Sequence, residues 1–398
     1  METIVSRAND KDECIKALVF GMKTKIVYIY HAFAIYGGIE RVLADKINQL
    51  AKDENFETIV LTTNQGEHSF PFEFDKRVRH IDWGINFHRV YKYPLLKRLH
   101  LKREKECLFR KKLKEYFAQE QPDIIVSIGQ VYAHSILKTH GSIPWIIESH
   151  SDMEHITYNP IDFHMTLWKR MIRWRVFHTV RKSTVLVTLT QSDAETWRRI
   201  HPAVKIIPNG LVVRPEQTRA QKDNSKTIIF AGRFSLQKNI EALFSIWSIA
   251  HAKKPDWILQ IYGDGEEKHR FTSLDGRENV HIHPATTQIF EKYSESSFLI
   301  LTSRYEPFGL VLIEAMSCGL PVIAFDCPNE PRDIITDGED GFLIPMGNNA
   351  MFAERIIYLM EHPEERLRMG RNALKKSQKY PMEHIVEQWK QLYREVKK

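Results

Sequence analysis

Two glutamates with seven residues between them, Glu306 and Glu314, lie within the stretch Thr302–Phe325, TSRYEPFGLVLIEAMSCGLPVIAF. Ionised carboxylates only accept hydrogen bonds, so such a pair suits the hydroxyls of a sugar or a ribose. An apolar run, Phe298–Leu301, leads into a polar turn at Ser303–Pro307. Gly309 opens a predicted helix, Gly319 closes it, and Pro321 restarts an extended run. The amides of Phe308, Gly309 and Leu310 have no intrahelical partner at that helix start, and a phosphate is the usual guest of such groups. An ordinary helix with solvated acids shows the same spacing, so the pair gains meaning only from other parts of the chain.

Three further loops carry matching chemistry. A strand at Thr227–Ala231 runs into Gly232-Arg233, then Lys238-Asn239 before a helix to about Ala252. Arginine offers a planar fork and lysine a point charge, and both suit a diphosphate, although a solvated basic turn reads alike. A strand at Lys25–Tyr30 leads to Gly37-Gly38-Ile39-Glu40-Arg41 and a helical pattern to Leu50. Glycine lets a backbone approach a phosphate, or merely makes a tight turn; the spacing is not GxGxxG, so a dinucleotide is not indicated. A strand at Pro144–Glu148 ends in Glu148-Ser149-His150, and ligands gather at the carboxyl ends of strands in open α/β sheets, which sets His150 apart from the other histidines. The strand Trp257–Tyr262 ends likewise at Gly263-Asp264-Gly265. The one DxD, Asp10-Lys11-Asp12, lies far from any strand end, so no metal clamp is indicated and no cofactor is expected.

Positioning these loops requires alternating strands and helices, about six strands in each half of the 398 residues. The fold class is α/β: two Rossmann-like, doubly wound parallel-sheet domains facing across a cleft. Expected boundaries are an extension at 1–22, a first domain at 23–207, a second at 208–380 entered by Pro208-Asn209-Gly210, and a terminal helix within 381–398. The polar stretch Arg214–Lys226 reads as the linker. A composition of 43% hydrophobic and 27% charged residues is that of a globular protein. No apolar run reaches the roughly 18 residues of a membrane span, and no signal peptide is evident. Cys14, Cys107, Cys318 and Cys327 show no CxxC spacing, which points to reduced thiols and a cytoplasmic protein without a zinc site.

Charge is uneven. Residues 1–200 hold 31 Lys+Arg and 24 Asp+Glu, a net +7, and residues 201–398 hold 26 of each, a net of zero. The first half therefore expects an anionic partner. The stretch 88–119 carries 11 basic residues against 3 glutamates, with Phe109, Leu113, Tyr116 and Phe117 at helical spacing. The stretch 163–182 adds Trp168, Trp174, Phe177 and six basic residues. Both fit an anionic membrane surface, which would make the protein peripheral on the inner face of the plasma membrane; a solvated basic face is the alternative. No nucleic-acid motif accompanies the charge, and nucleic acid is not an expected partner.

Five motifs in order give the chain a resemblance to the retaining glycosyltransferases of the GT-B fold, family 4 (group 1), of the bacterial surface-glycan type. They are Gly37-Gly38-Ile39-Glu40-Arg41, Pro208-Asn209-Gly210, Gly232-Arg233 with Lys238-Asn239, Glu306 to Glu314 with the tail Ala315-Met316-Ser317-Cys318-Gly319-Leu320-Pro321-Val322, and Asp337-Gly338-Glu339-Asp340-Gly341. The segment 327–335 resembles a version found in hexose and N-acetylhexosamine transferases. The resemblance implies a first domain that binds the acceptor and a second that binds a nucleotide sugar, a UDP-linked one being expected. Arg233 and Lys238 would hold the donor diphosphate, Glu306 the transferred sugar, Glu314 the ribose, and Phe308, Gly309 and Leu310 the diphosphate through their amides. Gly37, Gly38 and Gly263 would border the donor, and His150 would touch the sugar near its reacting carbon. His150, Arg233, Lys238 and Glu306 are thus the catalytic candidates, working without a metal. The acceptor would be a glycan or a lipid-linked one, in polysaccharide, lipopolysaccharide or capsule synthesis. A sugar-nucleotide epimerase on the same fold, or a catalytically silent subunit, are the rival readings.

Overall fold

The computed structural model describes residues 23–150, 167–212, 225–328 and 331–397. The expectations for the N-terminal extension with its DxD, for 163–166, for most of the linker and for Asn329-Glu330 fall outside the described residues. Two parallel sheets form the frame. The first contains β1 (Thr24–Tyr30), β2 (Phe56–Thr62), β3 (Arg79–Asp82), β4 (Ile124–Ile128), β5 (Trp145–Glu148), β6 (Val185–Thr188) and β7 (Val204–Ile206) in the order β3-β2-β1-β4-β5-β6-β7. The second contains β8 (Thr227–Ala231), β9 (Ile258–Tyr262), β10 (Val280–His283), β11 (Phe298–Leu301), β12 (Val322–Asp326) and β13 (Gly341–Pro345) in the order β10-β9-β8-β11-β12-β13.

Helices cover both faces of a parallel sheet, so its inner strands must be apolar throughout. β4 and β11 are buried along their whole length. Strand order reverses direction between β1 and β4 in one sheet and between β8 and β11 in the other. These switch points leave a crevice at the strand carboxyl ends, where ligands bind in such folds. The loops after β1, β8 and β11 carry the glycine pair, the two cations and Glu306, and the helix that follows β11 carries Glu314.

Local differences from expectation have simple causes. The first sheet has seven strands because Val204–Ile206 adds to β6 as a short edge. Asn239 precedes the helix Ile240–Lys253 in a left-handed conformation (φ 53°), and its side chain makes no cap bond. The helix after β4 is a short one, Ala133–Leu137. A helix at Pro363–Ser377 was not expected; it starts with Pro363 in its first turn beside Glu364 and Glu365, both favourable at a helix N-terminus. Burial pushes the thiols of Cys318 and Cys327 up to about 12.

The chain crosses between the two sheets at a paired junction. The Leu211 amide donates to the Tyr380 carbonyl (2.8 Å) and the Met382 amide to the Leu211 carbonyl (3.0 Å), so the outgoing and returning chains pair where they cross. Gly210 permits this: a Cβ there would lie 2.8 Å from Met382 Cα. The terminal helix, Met382–Lys397, then packs on the first sheet. Its buried residues Met382, Ile385, Val386, Trp389, Leu392 and Tyr393 follow helical spacing and join a core with Ile26, Tyr28, Val42 and Ile47. The last residues of the chain thus complete the core begun by the first strand. Replacing Trp389 by alanine should cost about 3–5 kcal/mol, the usual loss for a buried aromatic, and lower the midpoint of urea unfolding; an unchanged midpoint would contradict this packing.

Candidate functional site

Lys238 and Glu306 form the centre of the second sheet's loops. The Lys238 ammonium pairs directly with Glu306 Oε1, and Ser303 Oγ donates to the same oxygen at 2.6 Å. The hydroxyl of Thr302 donates to the Lys238 carbonyl at 3.0 Å, which fastens the loop after β8 to the loop after β11. Glu306 is only 5% exposed, so the reading of a solvated surface acid fails. Arg233 differs: its side chain is 66% exposed, with Nε donating to Glu266 at 3.1 Å. One cation of the loop is buried in its ion pair, and the other is exposed in a surface pair. Gly263 is a packing residue, since a Cβ there would sit 2.0 Å from the Gly232 carbonyl. Gly309 takes the left-handed conformation (φ 62°) that starts the helix Leu310–Ser317.

Glu314 lies within that helix and is 4% exposed. Its two oxygens have different partners. Arg41 of the glycine-loop helix, Gly38–Leu50, reaches Oε1 across the cleft at 3.0 Å, and Tyr293 donates to Oε2 at 3.0 Å. The Arg41 guanidinium also lies 5.0 Å over the Phe290 ring. Leu310 touches both hydrophobic cores, and a Cβ on Gly38 would meet its side chain at an ordinary 3.6 Å. The two halves are therefore in contact beside the loops after β8 and β11. Phe308 is buried against Tyr380.

The glycine pair serves Glu40. Its carboxylate folds back over the helix start, so a Cβ at Gly37 would sit 2.1 Å from Oε2, and the Tyr30 hydroxyl donates to Oε1 at 2.8 Å. Burial raises this carboxyl, and hydrogen bonds from backbone and from the Tyr30 hydroxyl offset part of that.

His150 follows β5 and is buried, its Nε2 3.1 Å from Glu148 Oε1. Glu148 Oε2 takes the Lys46 ammonium. Burial by itself would raise the Glu148 carboxyl, but the Lys46 charge and the His150 bond outweigh it and hold it down to about 2. Arg41, Tyr293, Glu148 and Lys46 were not singled out for roles from the sequence. Lys46 left one trace there: it occupies an apolar stripe position, between Val42 and Leu50 at intervals of four.

Comparison with known proteins agrees with this frame. A family model described as Glycosyltransferase Family 4 matches residues 36–215, and one described as Glycosyl transferases group 1 matches residues 214–376. A glycosyltransferase of Haemophilus influenzae, itself uncharacterized, is 29% identical over 364 residues, 89% of this chain and 95% of its own. An amylovoran biosynthesis glycosyltransferase of Erwinia amylovora is 26% identical over 380 residues, 92% of this chain and 98% of its own. Among solved structures, the pneumococcal O-GlcNAc transferase GtfA in complex with UDP and GlcNAc superposes with a TM-score of 0.74 at 16% identity, covering 94% of this chain and 99% of that one.

Burial raises the Glu314 carboxyl, and Arg41 and Tyr293 offset only part of that. A carboxyl raised on folding contributes stability below its unfolded pKa and loses it as pH rises through the folded value. At neutral pH Glu314 is therefore a charge that the fold carries at a cost. The Glu314→Gln variant should melt no lower than the parent at about pH 7.5, and its advantage should shrink toward about pH 5, nearer the ordinary glutamate range. A variant that melts lower by the same margin at both values would refute this account.

Proposed function

The chain belongs to the group 1, family 4 glycosyltransferases of the GT-B fold, and we propose that it moves a hexose or N-acetylhexosamine from a UDP-sugar to a glycan or lipid-linked acceptor, with retention of configuration, in cell-surface polysaccharide synthesis. The observation that carries this reading is the buried Lys238–Glu306 pair at the second sheet's switch point, with the open arginine Arg233 on the same loop. A diphosphate resting against Lys238 and Arg233 meets two positive charges, which stabilise the charge that grows on the leaving group. That assigns the electrostatic task to side chains, without a metal or other cofactor. The amides at Phe308, Gly309 and Leu310 add donors to the diphosphate, and Gly37, Gly38 and Gly263 border it.

Glu306 keeps a second oxygen for hydroxyls of the sugar. Glu314 receives the ribose, in which case Arg41 yields Oε1 to a hydroxyl. In the transfer step the bond from the anomeric carbon to the phosphate oxygen breaks and the nucleoside diphosphate leaves with the electron pair. The acceptor hydroxyl attacks the same face, and its proton passes to the leaving phosphate. His150 stands beside the reacting carbon. The transferase held with UDP and GlcNAc supports a UDP-sugar, and the amylovoran relative supports a polysaccharide product.

A lipid-linked acceptor is favoured by one surface. Tyr91, Tyr93, Leu95, Leu96 and Leu99 are exposed, Leu96 at 82%, on the 3-10 turn Phe87–Lys92 and the start of the helix Leu95–Glu120. Lys97 lies 4.6 Å over the Tyr93 ring, and Arg98 lies 5.7 Å over that of Tyr91. The turn follows the carboxyl end of β3, the same edge as the other loops. Apolar side chains among cations suit an anionic bilayer, and Met171 and Trp174 add exposed apolar area from Leu167–Val180. No described helix is long and apolar enough to cross a membrane. On this reading the protein is cytoplasmic and rests on the inner face of the plasma membrane.

Thermal melts against a panel of nucleotide sugars test the donor. A UDP-sugar should raise the melting temperature by mass action, and a response confined to another base would overturn the UDP assignment. With the stabilising donor, Arg233→Ala and Lys238→Ala should each lower turnover roughly 10²-fold. Vesicles containing phosphatidylglycerol should pellet the protein at low salt and release it at high salt, whereas equal pelleting with neutral vesicles would refute the membrane reading.

A further inference from the structure

The glycine-loop helix, Gly38–Leu50, presents Val42, Leu43, Lys46, Ile47 and Leu50 to the interior, and Lys46 is 1% exposed. A leucine would fill that stripe without needing an ionic partner; a buried ammonium must have one. Lys46 finds it in Glu148, whose other oxygen takes His150 Nε2 at 3.1 Å. The terminal helix closes the arrangement from the other side. The Trp389 ring lies 4.0 Å from Lys46 Nζ, and the Tyr393 hydroxyl bonds that of Tyr28 at 2.7 Å beside the pair. Burial raises both phenols, so they remain neutral beside the pair.

We propose that Lys46 is a positioning residue for sugar transfer: it pairs with Glu148, and Glu148 fixes the ring and tautomer of His150. This rests on the reading of His150 as the group beside the reacting carbon. A nitrogen that faces a carboxylate carries the proton. Nε2 is therefore the N–H, and in the neutral ring Nδ1 is the nitrogen left as acceptor. Lys46 touches no ligand. It acts by keeping Glu148 an acceptor that cannot turn into a donor. A glutamine at 148 could present its amide to Nε2 and allow the other tautomer. The core residues of the terminal helix thereby reach the site through two side chains, Trp389 against Lys46 and Lys46 against Glu148.

The test uses the full chain as Lys46→Met/Glu148→Gln. Both charges leave together, so no uncompensated ion stays buried if the single variant fails to fold. The protein is labelled with ¹⁵N-histidine, and the His150 resonances are identified as those missing in His150→Ala. In alkaline buffer the parent should show the Nε2–H tautomer and the double variant a mixture. Release of UDP from UDP-N-acetylglucosamine should fall roughly 10- to 100-fold in kcat, the scale of a misplaced group, with little change in KM. An unchanged tautomer, or a kcat equal to the parent's while His150→Ala is impaired, overturns the positioning role alone. A His150→Ala variant as active as the parent overturns the reading of His150, and this proposal with it.

Discussion

Three buried carboxylates, Glu148, Glu306 and Glu314, must each be met by a cation, and those three pairings hold the cleft in shape. Lys46 meets Glu148, Lys238 meets Glu306 and Arg41 meets Glu314. Removing one partner of the two fully buried pairs, Lys46–Glu148 or Lys238–Glu306, costs about 3–5 kcal/mol, since the other is left as an uncompensated charge, whereas the intact pair contributes little net stability. The pairs are better explained by geometry than by stability. Each one joins two separate loops or elements and leaves little freedom in where the carboxylate stands.

The three differ in what a ligand can do to them. Lys238 and Glu306 lie within one domain and are fixed by Ser303 and Thr302. On the proposed reading they are a preorganised base for a diphosphate and a sugar. Arg41 and Glu314 lie on opposite sides of the cleft, and Arg41 is 23% exposed at its side chain. A hydroxyl can displace it into water at small cost. On the proposed reading, this contact across the cleft is the one a ribose would replace. Lys46 and Glu148 lie beneath the site, sealed by the terminal helix.

The terminal helix is what makes the two domains one object. It leaves the second domain at the paired crossing of Leu211 with Tyr380 and Met382, and its apolar face completes the first domain's core. Leu310, the first residue of the Glu314 helix, packs against both cores.

The sequence by itself determined the fold class and most of the loops. Apolar runs separated by helical patterns are a local signal, and so are glycines at turns, so the strands leading to Gly37, Arg233 and Glu306 could be read directly. Even the resemblance rests on short ordered motifs whose spacing survives without tertiary knowledge. The tertiary structure alone decided who pairs with whom. Glu306 and Glu314 look like partners in the chain, yet one holds Lys238 and the other holds Arg41 from 273 residues away. Lys46 stands at an apolar stripe position in the sequence, but its partner Glu148 is settled only when β5 and the terminal helix close over it. Charge pairing depends on distance in space and on the exclusion of water, and neither exists until both sheets are packed.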